Sequence, residues 1–300
     1  MNLEALKQAI ALKEHKAVIA VANAVEASVF RAAQIALDES LAEFHFIGAL
    51  NEMTAAMEEA DFSADENTVV FIDCRDEAEA SEKAVRLVSE GKADVLMKGM
   101  VSTSILLKAV LHKEYGLRSG NVLSHVAGFT LPDREKMLFL TDAAMNIAPS
   151  LPEKVQIVEN AVAALNQMGI ENPKVAVLAA VENVNPAMQA TVDAALLTQM
   201  NKRQQITNCI VDGPLGFDNA VSLEAARKKQ IESPVAGEAD LLLAPQIETG
   251  NALYKSFTYI GRGVVGGMIV GAKAPIILTS RTDSEESKLF SLAMAVSIIQ

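Results

Sequence analysis

The regular alternation of short β-type runs with helical stretches predicts an α/β protein of two lobes with mostly parallel sheets. Composition points the same way. Of the 300 residues, 50% are hydrophobic, but only 4% are aromatic and Trp is absent. A core built from Ala, Val, Ile, Leu and Met suits helices laid on a parallel sheet. Length alone admits one domain or two.

In chain order, residues 1–12 are amphipathic and lack a signal-type apolar run. Strands are expected at 17–21, 43–47, 68–72 and 94–97, with helices at 26–39, 51–60 and 76–91 between them. In the last of these helices, Ala80, Ala84, Leu87 and Val88 recur at the spacing of one helical face, and Gly91 is placed to stop it. Further strands are expected at 126–131, 136–141, 175–180, 206–211, 239–243 and 276–279. Further helices are expected at 152–168, 186–199, 222–230, 251–260 and 284–299. Pro132-Asp133-Arg134-Glu135 is turn-like, so the strands flanking it are read as an antiparallel hairpin. The hairpin marks the change of lobe. The first lobe is expected to hold 1–120 plus 280–300, and the second 121–279.

The formal net charge is −12, which argues against a nucleic-acid partner, because a reader of the phosphate backbone needs a clustered positive field. Small anions remain admissible, since a few local Arg, Lys and backbone N–H groups hold them whatever the global charge. Two cysteines, Cys74 and Cys209, make no disulfide framework, and reduced thiols fit a cytoplasmic protein. No apolar run reaches the ~18 residues of a membrane span. His15, His45, His112 and His125 are not paired at metal-ligand spacing, so no metal site is expected. There is no Walker-type GxxxxGK[ST] and no G-x-S-x-G elbow.

Ligands of open parallel sheets bind beyond the carboxyl ends of strands, so those segments are examined first. After the strand at 94–97 comes Lys98-Gly99-Met100-Val101-Ser102-Thr103-Ser104, then a helix. Hydroxyls and free N–H groups at a helix N-terminus make an anion site, to which Lys98 and Lys108 add charge. The plainer reading is that Ser102 or Thr103 caps the helix. After 276–279 comes Ser280-Arg281-Thr282-Asp283-Ser284-Glu285-Glu286-Ser287, again opening a helix. Its carboxylates fit an ordinary acidic first turn, but Asp283 or Glu286 can also accept a proton. Arg281 fits no capping role, because a cation at a helix N-terminus is unfavourable without an anion to meet. Gly261-Arg262-Gly263-Val264-Val265-Gly266 matches the dinucleotide pattern. That fingerprint must follow a strand and open a helix. Here a helix precedes and a strand near 268–270 follows, so the stretch is read as a glycine-rich loop. Cys74 follows a strand and is conceivable as a nucleophile, with a small, partly buried side chain as the plainer reading.

Four segments together resemble the phosphotransacylase family of phosphate acetyl- and butyryltransferases, over nearly the whole chain. They are residues 93–103 ending in Lys98-Gly99-Met100-Val101-Ser102-Thr103, then Asp212-Gly213-Pro214-Leu215 with Asp218, then Pro245-Gln246-Ile247-Glu248-Thr249-Gly250-Asn251, and Ala274-Pro275-Ile276-Ile277-Leu278-Thr279-Ser280-Arg281. The form Leu278-Thr279-Ser280-Arg281-Thr282-Asp283-Ser284 is closer to the butyryl branch than to the Asn-Asp-Leu-Ser-Arg-Gly form of acetyl enzymes. The resemblance implies two α/β/α lobes of the isocitrate/isopropylmalate dehydrogenase kind with a cleft between them, and a homodimer. It implies transfer of a butyryl or branched short-chain acyl group between coenzyme A and inorganic phosphate, with no tightly bound cofactor. Ser280 and Arg281 fall on the family's catalytic pair, and Ser102 and Thr103 on its phosphate-contacting hydroxyls. Gly250, Asn251 and Lys98 are assigned to substrate binding. Lys108 stands where acetyl enzymes have a functional Arg, a departure that replaces a bidentate fork by a point charge. The family's base, an Asp seven residues after the Ser, is replaced by Ser287, leaving Asp283 and Glu286 as substitutes.

The implied mechanism is direct attack of a CoA thiolate on the acyl phosphate in a ternary complex, with no covalent acyl-enzyme. Three rivals are weaker. A decarboxylating NAD(P) dehydrogenase of similar architecture needs a metal-binding carboxylate cluster, and Asp212 and Asp218 are too isolated to make one. A non-catalytic sensor of CoA or acyl phosphate would have no need of Ser280-Arg281. Acyl carrier protein, itself acidic, is a poor electrostatic match for an acidic chain.

Overall fold

The computed structural model describes residues 2–278 and 283–299. The chain forms two compact units, one from Leu3–Asn121 and the chain from Gly266 onward, the other from Val122–Val265.

The N-terminal unit begins with α1 (Leu3–Ala11), β1 (Ala17–Ala22), α2 (Ala27–Asp38), β2 (Ala42–Gly48), α3 (Leu50–Glu59), β3 (Val69–Asp73), α4 (Glu77–Ser89), β4 (Val95–Lys98) and α5 (Thr103–Val110). Strand follows helix as the periodicities predict. The stop signal at Gly91 is real: it takes a left-handed φ of 70° directly after the C-cap of α4. At the other end of α4, Asp76 accepts from the N–H groups of Ala78 and Glu79 at 3.0 and 2.9 Å. These two devices satisfy helix ends that would otherwise leave donors and acceptors unpaired.

The second unit contains β5 (Ser124–Thr130), β6 (Leu138–Thr141), α6 (Leu151–Gln167), β7 (Lys174–Leu178), α7 (Gln189–Lys202), β8 (Ile210–Leu215), α8 (Phe217–Val221), α9 (Leu223–Lys228), β9 (Leu241–Leu243) and α10 (Ile247–Lys255), which ends in a π-helical turn at Ser256–Ile260. Its strands lie in the order β5-β6-β9-β7-β8. The hairpin read from Pro132-Asp133-Arg134-Glu135 is present: β5 and β6 are antiparallel, and the other pairings are parallel. Phe129 and Phe257 meet edge to face at 5.1 Å in its core.

The chain then returns to the N-terminal unit through β10 (Val264–Val270), β11 (Ile276–Ile277) and α11 (Glu285–Ser297). There the strand order is β3-β2-β1-β4-β11-β10, parallel except for β10 against β11. Strands β1 and β4 are buried almost throughout, as expected of strands covered on both faces.

Four expectations shift. The return to the first unit comes at Gly266 rather than residue 280, because Ile276 and Ile277 pair with Leu96 and Met97. The strand expected at 206–211 is β8 at Ile210–Leu215, running through Gly213 and Pro214. Pro is tolerated there because β8 ends the strand order, and an edge can forgo a ladder donor. The helix expected at 222–230 is the shorter α9, Leu223–Lys228, capped by Ser222 Oγ, and α8 precedes it at Phe217–Val221 where no helix was expected. The helix expected at 251–260 starts earlier, at Ile247, so Gly250 and Asn251 lie inside α10.

In the second unit, Lys154 of α6 and Asp193 of α7 form a buried ion pair at 2.6 Å, their side chains 6% and 4% exposed. Gln189 donates to the other carboxylate oxygen at 2.8 Å. Removing one partner strands the other charge, so Asp193→Asn is expected to cost about 3–5 kcal/mol in chemical unfolding. The double replacement Lys154→Met with Asp193→Leu is expected to recover most of that loss; a double variant no more stable than Asp193→Asn would refute this account of the pair.

Candidate active site

Strands β4 and β11 run parallel side by side, so their carboxyl ends open on one edge of the sheet. Both are followed by helices, α5 and α11, whose N-termini begin at that edge. This is the geometry in which helix-terminal N–H groups converge on a ligand.

After β4 the backbone turns over the end of β1. Gly99 and Met100 donate to the carbonyls of Ala22 and Asn23 at 2.9 and 2.8 Å. A Cβ at Gly99 would lie 2.3 Å from the Asn23 carbonyl oxygen and 2.8 Å from that of Ala22, so only glycine fits. Asn23 adopts a left-handed φ of 58° and its side-chain amide donates to Met100 O at 2.5 Å. Lys98 is buried, and its Nζ donates to the carbonyls of Gly99 and Val101 at 3.1 and 3.3 Å. Its charge therefore braces the turn.

Ser102 is the N-cap of α5, its Oγ accepting from Ile105 N at 3.3 Å and lying 3.1 Å from Ser104 Oγ. The capping reading is thus present in the structure, and it leaves Ser102, Thr103 and Ser104 exposed. The N–H of Ser102 donates to Glu77 Oε2 at 3.3 Å, so a carboxylate already sits where anions are favoured. Lys108 is exposed in the last turn of α5, where a cation complements the helix dipole.

Ser280 and Arg281 lie outside the described residues. Asp283 is half-buried, and its carbonyl accepts from Lys288 Nζ at 2.7 Å. Ser284 caps α11 by accepting from Ser287 N at 3.1 Å. Glu286 is exposed in the first turn, while Glu285 pairs with Arg31 at 2.6 Å. Ser287 is buried, with its carbonyl accepting from Ser291 Oγ at 2.9 Å. The discounted dinucleotide pattern serves packing: a Cβ at Gly266 would lie 2.7 Å from the Phe290 ring, so glycine lets α11 lie close on β10. Gly267 N–H also donates to Ser291 Oγ at 2.9 Å.

In the second unit, the buried Asp142 ends β6. It accepts from Ala144 N (2.8 Å), Met145 N (2.9 Å), His125 N (3.2 Å) and Asn146 Nδ2 (2.6 Å). Helix α10 rests on this turn. A Cβ at Gly250 would come within 2.3 Å of Asp142 O, and Asn251 Nδ2 donates to Ala143 O at 3.4 Å. At the ends of β7 and β8, Glu182 accepts from Lys229 Nζ at 2.7 Å and from Asn219, and the Lys229 contact lowers its carboxyl pKa. Asp218 lies 3.5 Å from Lys229. Among the described residues, no group of three or more His, Cys, Asp or Glu side chains gathers as a metal site would require.

Sequence reasoning passed over Asn23, Glu77, Asp142 and Lys288. The strand-end rule, applied to β1 and β6, would have found Asn23 and Asp142. Both cysteines are buried, and burial pushes the thiol pKa up, at Cys209 to about 11 and at Cys74 above its usual value. A protonated thiol is a poor nucleophile, so Cys74 takes the plainer of its two readings.

The family model "Phosphate acetyl/butaryl transferase" matches residues 76–296. A Bacillus subtilis protein named "Probable phosphate butyryltransferase" is 52% identical over 93% of this chain and 92% of its own. The phosphate acetyltransferase of Thermotoga maritima is 43% identical over 98% and 99%. The crystal structure of a branched-chain phosphotransacylase from Enterococcus faecalis superposes with a TM-score of 0.83 at 39% identity, covering 94% of this chain and 98% of that one. The fold alone is shared with a 4-hydroxythreonine-4-phosphate dehydrogenase from Klebsiella pneumoniae, at TM-score 0.54 and 12% identity.

Two substitutions separate the turn from the thiols. Gly99→Ala should lower both thermal stability and turnover, since the clash at 2.3 Å is with backbone and cannot be relieved by a rotamer change. Cys74→Ser should keep phosphate-dependent turnover within about threefold, as expected of a thiol with no part in the reaction. Near-complete inactivation of a folded Cys74→Ser variant would reinstate the covalent route.

Proposed function

The chain belongs to the phosphate acetyl/butyryl transferase family, and from that premise we propose that it moves a butyryl or branched short-chain acyl group between CoA and inorganic phosphate. It is a phosphate acyltransferase. Identity of 52% across nine-tenths of both chains to a relative named for butyryl transfer carries the reading. The branched-chain phosphotransacylase structure adds weight to it. Acetyl transfer is the second reading, favoured by the 43% identical acetyltransferase of Thermotoga maritima.

In the direction of acyl-CoA synthesis, the CoA sulfur attacks the carbonyl carbon of the acyl phosphate. The C–S bond forms, the C–O bond to phosphate breaks, and phosphate leaves with the bonding pair. We assign Arg281 and the N-terminus of α5 at Ser102 and Thr103 to the phosphate, where opposed charge and N–H donors stabilise the developing anion. Ser280 is assigned as hydrogen-bond donor to the carbonyl oxygen, a role worth about 3 kcal/mol at comparable sites. Asp283 is assigned as acceptor of the thiol proton. It is half-buried, whereas Glu286 is exposed, and a base screened from bulk water keeps the proton within the complex. Lys98 acts by bracing the turn that leads into α5, and Gly250 and Asn251 by holding α10 on the Asp142 turn of the second unit. Lys108 is left to long-range attraction of anionic substrate. The reading carries with it a homodimer in the cytoplasm; among the described residues no helix is long and apolar enough to cross a membrane.

The deciding experiment is phosphate-dependent release of free CoA thiol from acetyl-, butyryl- and isobutyryl-CoA. The expected result is the highest kcat/KM with a four-carbon chain. Each methylene in an apolar pocket is worth about 1–3 kcal/mol and a four-carbon chain carries two more carbons than acetyl, so the preference over acetyl should be at least about 30-fold. Acetyl preference would select the second reading, and no release from any of the three would refute both. Arg281→Ala should lower kcat/KM by about 100- to 1,000-fold; activity near wild type would remove Arg281 from the phosphate.

A further inference from the structure

Lys288 is 2% exposed and belongs to the first turns of α11, at the carboxyl edge of β11. Three physical costs fall on it. A lysine nitrogen taken out of water loses its hydration. A cation near a helix N-terminus opposes the dipole. And the acceptor it has among the described residues is a single backbone carbonyl, that of Asp283, at 2.7 Å. The nearby Glu285 does not relieve it, because that carboxylate is paired with Arg31.

The other buried lysines show how this chain ordinarily meets such costs. Lys154 has the carboxylate of Asp193 at 2.6 Å. Lys98 is tied to the two carbonyls of its own turn. Lys288 alone of the three has, among the described residues, neither a carboxylate within 4 Å nor a second hydrogen-bond acceptor. Its acceptor lies just before the N-cap Ser284 of α11, at the sheet edge where α5 also begins.

We propose that Lys288 is a positioning residue for phosphate transfer: it ties down the backbone at Asp283, and its buried charge is balanced by the phosphate group that enters with the substrate. The inference rests on the transferase reading above. A purely structural lysine would be expected to stabilise the free protein. A lysine kept for an incoming dianion destabilises the free protein and is repaid on binding.

Lys288→Met keeps the aliphatic stem and removes the charge and the donor. The expected result is a thermal midpoint for the free enzyme equal to or above wild type, together with a tenfold or greater fall in kcat/KM for phosphate. The KM for butyryl-CoA should stay within twofold, and the rise in midpoint caused by inorganic phosphate should shrink. Lys288→Arg should restore part of the phosphate kinetics. Three outcomes would overturn the proposal: phosphate kinetics within twofold of wild type in Lys288→Met, a fall shared equally by both substrates with no rescue in Lys288→Arg, or failure of Lys288→Met to fold. If wild type releases no CoA from any acyl-CoA, the transferase reading has failed. The midpoint of Lys288→Met, with and without phosphate, then still tests whether an anion balances this charge.

Discussion

The parallel pairing of Ile276–Ile277 with Leu96–Met97 is the constraint on which the candidate site depends. It joins segments about 180 residues apart in sequence and sets two strand ends beside each other, each releasing its chain into a helix N-terminus. The pairing is only two residues long on the β11 side, so it cannot hold α11 by hydrogen bonds alone. Packing does the rest. Glycine at 266 lets the Phe290 ring and backbone approach β10, and the whole of α11 beyond its first turn is buried against its surroundings. A helix buried on every side has no freedom to rotate about its axis. The position of its N-terminus is then set by core packing.

The electrostatics of this edge explain how a chain with net charge −12 can handle anionic substrates. The global charge is spread over the surface and screened within about 10 Å at ordinary salt. On the assignment proposed above, what an arriving phosphate meets is local: the N-terminus of α5, with Lys98 bracing its turn and Ser102 N–H held by Glu77. That N–H already donates to a carboxylate, so phosphate bound at α5 as proposed would exchange one anion for another. Such an exchange costs less selectivity than filling an empty site with an unmatched charge, because the donors are already oriented.

Much of this was legible before any coordinates. Period-3.6 patterns and short apolar runs located nearly every element, since strands covered on both faces read as continuous apolar runs. The strand-end rule pointed to Ser102, Thr103, Lys98 and Asp283 as neighbours of one edge. What failed was punctuation. The strand expected at 206–211 stops short of Gly213 and Pro214, yet an edge strand tolerates them. Gly261 to Gly266 read as a loop, yet Gly266 sits inside a strand because a helix needs the space of its missing side chain. Lys288 was invisible for a deeper reason. In a sequence a lysine near a run of Glu and Ser signals a solvated helix face, and only packing reveals that this one is enclosed.

The state of the two thiols bears on which of two chemical routes the fold supports. A covalent route needs a nucleophile that is ionised or readily ionised near neutral pH. Burial moves both Cys74 and Cys209 the other way, and for Cys74 it outweighs the opposing pull of Lys83. Cys74 Sγ moreover faces the carbonyl of Asp76, an acceptor that favours the protonated thiol. Enclosing a thiol in this way is ordinary core building. On the reading proposed above, the thiol that ionises is the substrate's own, and the protein's task is to orient two substrates and accept one proton. That division of labour suits a site assembled from helix N-termini and glycine-tight turns, which orient groups well and are poor at activating a protein nucleophile.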